Sequence, residues 1–221
     1  MGYQAAIFDM DGTILNTLED LTTALNYAMG QAGHRHDFSA EEVRLFFGNG
    51  AKMAVAAALR RESGPAQAQD ISRVLAHFQA YYPSHCTLHT RPYAGILELL
   101  AALRRQGIRT AVVSNKMDTA VQALCDRHFS GCFDAVLGER EPEIRRKPAP
   151  DMTEAALRTL GIDRAEAVYI GDSEVDIQTA QNAGLDCICV SWGFRSRQSL
   201  EAHRAACIAD DVPALSRMLL G

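Results

Sequence analysis

Lysine is scarce in this sequence. Of 22 basic residues only three are lysine, namely Lys52, Lys116 and Lys147. A general bias toward arginine accounts for most of this. A lysine that survives such a bias marks a place where a compact, rotatable ammonium is needed and a planar guanidinium is not. Long apolar runs are also missing, and none approaches the roughly 20 residues of a membrane span. Basic residues are too few for nucleic acid: the net charge is −5, against the basic face that non-specific binding requires. No cysteines stand at C-x-x-C spacing. The six present (Cys86, Cys125, Cys132, Cys187, Cys189 and Cys207) read as small hydrophobes in a reducing compartment. The first residues carry no basic segment and no cleavage signature, so a cytoplasmic location is the expectation. Internal repeats and low-complexity stretches are absent as well.

What remains is an ordinary globular composition, 48% hydrophobic and 22% charged, over 221 residues. That length suits one large domain, or one domain with an insert. Gln4–Asp9 reads as a short buried strand. From Thr17 to about Tyr82 the apolar spacing turns helical, as in Leu18, Leu21, Leu25, Ala28 and Met29. Ser39 with Glu42 has capping-box spacing and starts a second helix. A third is predicted from about Gly50 to Arg61. A fourth carries Ile71, Val74, Leu75, Phe78, Tyr81 and Tyr82, with Pro83 expected to stop it.

Beyond Pro92 the pattern alternates. Strands are predicted at Ile108–Val113, Asp134–Leu137, Ala167–Ile170 and Leu185–Val190. Helices are predicted at Ala94–Gln106, Asp118–Arg127, Asp151–Leu160 and Glu174–Ala183. Such alternation predicts an α/β fold: a parallel sheet of five strands with helices on both faces. Its core, 1–16 with 84–221, is interrupted by a four-helix insertion, 17–83.

In sheets of this kind ligands bind past the carboxyl ends of the strands. The first predicted strand is followed by Asp9-Met-Asp11-Gly-Thr13, the second by Ser114-Asn115-Lys116, and the fourth by Gly171-Asp172 with Asp176 four residues on. Lys147 precedes Pro148 in the connection before the fourth strand. Carboxylates gathered at one rim repel one another unless a cation neutralises them. An all-oxygen donor set suits Mg²⁺, bound through a few carboxylates together with substrate phosphate. A carboxylate can also attack phosphorus, a second acid can protonate the leaving group, and an ammonium can hold phosphoryl oxygens.

These four regions, in this order, resemble the motifs of the haloacid dehalogenase superfamily in its phosphatase branch, and the likeness spans essentially the whole chain. The resemblance implies a Rossmann-like core with strand order 5-4-1-2-3 and a small α-helical cap. It implies Asp9 as nucleophile and Asp11 as general acid and then base. Asp9, Asp11 (through its carbonyl), Asp172 and Asp176 would serve the Mg²⁺, with Asp176 acting through water. Thr13, Ser114, Asn115 and Lys147 would bind phosphate. Halide-displacing members lack an acid at the position of Asp11, so phosphoryl transfer is favoured.

In the cap, Phe46–Met53 ("FFGNGAKM") is similar to the specificity loop of phosphoglycolate phosphatases, as are Thr90–Ile96 and Ser114–Lys116. Gly48, Asn49, Gly50 and Lys52 are therefore expected to meet a substrate anion. The resemblance implies a Mg²⁺-dependent phosphatase, monomer or homodimer, acting on a small phosphorylated metabolite such as 2-phosphoglycolate. A phosphosugar mutase, a pyrophosphatase or nucleotidase, and a non-catalytic regulator remain as alternatives. Trp192 and Phe194 are expected to pack where cap meets core. The histidines read as surface or linker residues, and the charged segment Glu139–Arg146 has no assigned role.

Overall fold

The structure, a computed structural model, describes residues 2–221. The chain forms two compact units. One takes the chain up to Asn16 together with Pro92–Gly221, and the other is Thr17–Arg91. The second crossing thus falls at 91/92 and not at 83/84.

The first unit opens with β1 (Ala5–Phe8), every residue of which is buried. β2 (Leu15–Asn16) leads out of it. The helical unit holds α1 (Leu18–Gln31), α2 (Ala40–Phe46), α3 (Gly50–Ser63) and α4 (Ala68–His85). The Ser39–Glu42 capping box is formed: Ser39 Oγ accepts from the Glu42 amide, and Glu42 accepts from the Ser39 amide. Pro83 does not stop α4, which runs on to His85. Proline removes only its own N–H bond, and near a helix end that loss is small. The carbonyl of Tyr81 is taken up by the Ser84 hydroxyl at 3.1 Å and by His85 Nδ1 at 2.7 Å.

β3 (Arg91–Pro92) marks the return. There follow α5 (Ile96–Arg105), β4 (Arg109–Met117), α6 (Asp118–His128), β5 (Ala135–Glu139), α7 (Asp151–Leu160), β6 (Ala167–Gly171), α8 (Glu174–Ala183) and β7 (Asp186–Val190). Past the last predicted strand lie α9 (Arg197–Ala202), β8 (Ile208–Ala209) and α10 (Val212–Leu220). The main sheet is parallel and has the order β5-β4-β1-β6-β7-β8. Its first five strands follow the expected order; the two-residue edge strand β8 is the difference, too short to leave a periodic signal.

β1 lies at the centre, with Phe8 level with Val112 of β4 and Ile170 of β6. Successive connections run to opposite sides of it, so the strand order reverses there. Buried on both faces, these strands read as continuous apolar runs. The core beneath them includes Ile7, Val113, Met152, Ala156 and Tyr169. The segment Glu139–Arg146 also finds a place. It folds back through an Arg140–Ile144 bridge, sets Ile144 against this core and leaves Arg140, Glu141, Glu143 and Arg145 exposed.

Within the helical unit one carboxylate ties the start to the finish. Asp20, in the first turn of α1, is only 3% exposed. It accepts from the His89 amide at 3.0 Å, the Thr90 amide at 2.9 Å and the Thr90 hydroxyl at 2.8 Å. Asp20→Ala strands those donors in a buried site, which costs about 3 kcal/mol. The melting temperature of that variant, followed by circular dichroism, is expected to fall by roughly 6–12 °C.

Candidate active site

The reversal of strand order about β1 places Asp9 at the rim, one residue past Phe8, where its amide continues the ladder to the Ile170 carbonyl at 2.8 Å. Its side chain is almost wholly buried and meets the Lys147 ammonium at 2.8 Å. The same ammonium lies 2.8 Å from Asp176 Oδ1. Lys147 is 1% exposed. Burial alone would lower its pKa, but the charges of Asp176 and Asp9 hold it well above the ordinary value.

Asp176 is fully committed. Oδ1 accepts from Lys147 and from the Tyr169 hydroxyl at 3.3 Å, while Oδ2 accepts from the amides of Asp172 and Ser173 and from the Ser173 hydroxyl at 2.6 Å. A carboxylate offers about four lone-pair sites, and five donors already occupy this one. Asp176 therefore anchors Lys147 and caps α8. It lies in a cluster with Asp9 and Asp172, their oxygens within 4.8 Å of one another, a grouping that could hold a metal ion. The contact with β6 is close: a Cβ on Gly171 would come within 2.2 Å of Asp176 Cγ.

Asn115 and Thr13 have partners within the protein. The Asn115 side chain receives the Lys147 amide at 2.8 Å and donates to the Lys147 carbonyl at 3.0 Å, so it holds the lysine's backbone. The Thr13 hydroxyl points to Asp172 Oδ1 at 3.4 Å, and its carbonyl accepts from Trp192 Nε1 at 3.1 Å. Phe194 donates its amide to Asp172 Oδ2. Trp192 and Phe194 thus brace the loops of the core unit itself. The Ser114 oxygen accepts from the Lys116 amide at 3.3 Å, leaving its own proton to donate. Ser114–Lys116 does not follow β4 but lies within it, where pairing with β5 breaks register between Val113 and Met117. The irregularity releases these side chains from the strict alternation of a strand.

Lys116 was not among the expected site residues. Its ammonium lies 2.9 Å from Asp11 Oδ1, with only 4% of the side chain exposed. The signal that could have found it is the shortage of lysine. Gly48, Asn49, Gly50 and Lys52 belong to the helical unit. Gly48 and Gly50 take positive φ, Asn49 precedes the first turn of α3, that turn carries no acid, and Lys52 is exposed on it.

The donor set fits a hard divalent cation. Burial, opposed by Lys147 and reinforced by Asp176 and Asp11, moves the Asp9 pKa from 3.8 up to about 7. Burial, with repulsion from Asp176 and Asp9, holds the Asp172 carboxyl well above its ordinary range. A cation favours the ionised form of both. The backbone wraps Asp172 closely: Gly12, at φ +81°, would set a Cβ 2.2 Å from Asp172 Oδ2, so only glycine fits the turn after Asp11.

Residues 6–190 match the haloacid dehalogenase-like hydrolases. The chain belongs to that family, in its phosphatase branch. It is similar to the phosphoglycolate phosphatase of Thiobacillus denitrificans, 33% identical over 197 residues, covering 86% of this chain and 84% of the relative. It is also similar to the N-acetylmuramic acid 6-phosphate phosphatase of Pseudomonas aeruginosa, 32% identical over 213 residues, covering 96% and 92%. A crystal structure from Lactobacillus delbrueckii subsp. bulgaricus, provisionally assigned as a phosphoglycolate phosphatase, has a TM-score of 0.96 at 48% identity, with both chains covered in full. In this family setting the protein is a phosphoric monoester hydrolase, and the buried carboxylates with the ammonium between them are its candidate active site.

The raised carboxyls have a thermodynamic consequence. With its folded pKa above its unfolded one, Asp9 stabilises the metal-free fold fully below about pH 4, and that contribution is lost as pH rises through about 7. Chelated protein is therefore expected to melt at lower temperature at pH 8 than at pH 5. Mg²⁺ is expected to restore several degrees, and more at the higher pH. In Asp9→Asn both the pH slope and the Mg²⁺ response should shrink; a wild-type-sized response in that variant would show the effects to lie elsewhere.

Proposed function

We propose that the protein is a Mg²⁺-dependent phosphatase of small phosphorylated metabolites, with 2-phosphoglycolate as first candidate, working through a phosphoryl ester of Asp9. The observation that carries this reading is the buried Lys147 ammonium, 2.8 Å from Asp9 and 2.8 Å from Asp176. One Asp9 oxygen is fixed by that ammonium, which orients the carboxylate so that the other can attack phosphorus.

In the first half-reaction Asp9 bonds to phosphorus, the bond from phosphorus to the leaving oxygen breaks, and that oxygen takes a proton from Asp11. In the second, Asp11 accepts a proton from water, the water oxygen bonds to phosphorus, and the acyl phosphate bond breaks to return the Asp9 carboxylate and release phosphate. Lys147 and the Ser114 hydroxyl hold phosphoryl oxygens throughout. Asp9, Asp172 and the Asp11 carbonyl would hold the Mg²⁺, which supplies positive charge to the phosphoryl group when bound. Asp176 keeps Lys147 in place, and Thr13 and Phe194 keep Asp172 in place.

Pockets and loops set substrate specificity on a shared fold. The family relatives named above act on a two-carbon acid phosphate in one case and on a phosphosugar in the other. Gly48–Lys52 is the proposed specificity element: α3 starts there without an acid in its first turn, which favours an anion. Turnover of a panel containing 2-phosphoglycolate, N-acetylmuramic acid 6-phosphate, other sugar phosphates and pyrophosphate, with Mg²⁺ and after chelation, tests the proposal. Phosphate release from one monoester, lost on chelation and lost by at least about 10³-fold in Asp9→Asn, is expected. Isomerised sugar phosphate without phosphate release would point to a mutase. An unchanged KM for the preferred substrate in Lys52→Ala would remove that lysine from recognition.

A further inference from the structure

Three buried or half-buried groups stand outside the mechanism so far: the Cys187–Cys189 thiols, the stacked Tyr27, Tyr81 and His85 rings on the helical unit, and Lys116. The thiols meet at 4.0 Å with no third ligand grouped beside them among the described residues. The rings offer nothing that identifies a partner. Lys116 is different, because it touches a residue whose chemistry is specified.

The Asp11 carboxylate has an awkward task. It must stay near Asp9 without being drawn into contact with Lys147 or the cation, and it must present one oxygen to the leaving group. Its Oδ1 is shielded from solvent and receives no hydrogen bond from backbone amides or hydroxyls among the described residues. What faces that oxygen is the Lys116 ammonium at 2.9 Å, on a side chain 4% exposed. Lys116 reaches it from the register break in β4, and so from the sheet itself and not from a mobile loop.

We propose that Lys116 is the positioning residue of the general acid: it pins one oxygen of Asp11 so that the other is aimed at the leaving group. Two of the three lysines in an arginine-rich chain are then explained together, one for each aspartate of the opening motif. A guanidinium, broader and with a fixed fork, does not replace a point charge enclosed at this depth. The inference rests on the reading of Asp11 as the acid.

The test separates Lys116 from that reading by leaving-group chemistry. Ethyl phosphate and acetyl phosphate are close in size, but the first expels an alkoxide that needs a proton, while the second expels a carboxylate that does not. The quantity to read is kcat/KM, which stops at phosphoryl transfer, for holoenzyme with Mg²⁺. Asp11→Asn is expected to lower it about 100-fold or more for ethyl phosphate and by less than about threefold for acetyl phosphate. Lys116→Met is expected to show the same asymmetry, and the double variant to be no worse than Asp11→Asn alone.

Lys116→Gln, polar and of similar length, serves if Lys116→Met does not fold. Equal losses on both substrates, or no loss on either, in a folded Lys116 variant would overturn the proposal while leaving Asp11 as the acid. An Asp11→Asn variant without asymmetry would remove the acid itself, and the inference with it.

Discussion

The fold depends on one ammonium between two carboxylates. Lys147 lies in a nearly water-free position, where an isolated charge would be costly and two isolated carboxylates more so. Several unrelated features of the chain serve to keep it there. Asn115, from the other side of β1, holds both polar groups of the Lys147 backbone. Asp176 uses the first turn of α8 and the Tyr169 hydroxyl to fix the oxygen that the lysine meets. Gly171 removes the Cβ that would displace Asp176. Removing any one of these leaves a buried charge imperfectly paired, so they can be expected to fail as a unit and not by increments.

Much of this was legible in the sequence. The strands on either side of β1 are apolar runs, so the sheet and the rim position of Asp9 follow from period and connection rules, while the strand order is what the family resemblance implies. Asp11 and Asp172 stand past strand ends beside Gly12 and Gly171, and Lys147 stands beside Pro148 in the connection before α7, which makes each legible as punctuation in the chain. Thr13, Asn115 and Asp176 share a property: each carries atoms able to bind phosphate or metal, and nothing in its identity shows the internal partners those atoms also have. Only coordinates show that Asn115 spends its amide on a backbone 32 residues away, or that Asp176 accepts five donors. Pro83 misled for a related reason: its effect depends on how many helical residues follow, which no local rule supplies. Lys116 lay in between, marked by rarity but given no partner until the break in β4 turned it toward Asp11.

Charge arithmetic ties the opening motif to the cation. The cluster holds four carboxylates, Asp9, Asp11, Asp172 and Asp176, and two ammonium groups, Lys116 and Lys147, in contact with Asp11 and with Asp9 and Asp176. If all are ionised the site carries two negative charges in excess. Arg195, which feels the charges of Asp172 and Asp176, is matched by Glu174 through two bonds of 2.8 and 2.9 Å. A phosphate dianion approaching such a site would be repelled. Burial is the main cause of the upward shifts at Asp9 and Asp172, and repulsion from the neighbouring carboxylates adds to it, so that without a cation these groups favour protons. A divalent ion cancels the excess, whereas a monovalent one leaves half of it and a third lysine would fix a charge that could not leave. The composition of the cluster thus leaves a deficit that a dication would match. Two like charges can stand one residue apart at the end of a buried strand because each meets a lysine, Asp11 meeting Lys116 and Asp9 meeting the Lys147 it shares with Asp176, and a bound dication would supply what they jointly lack.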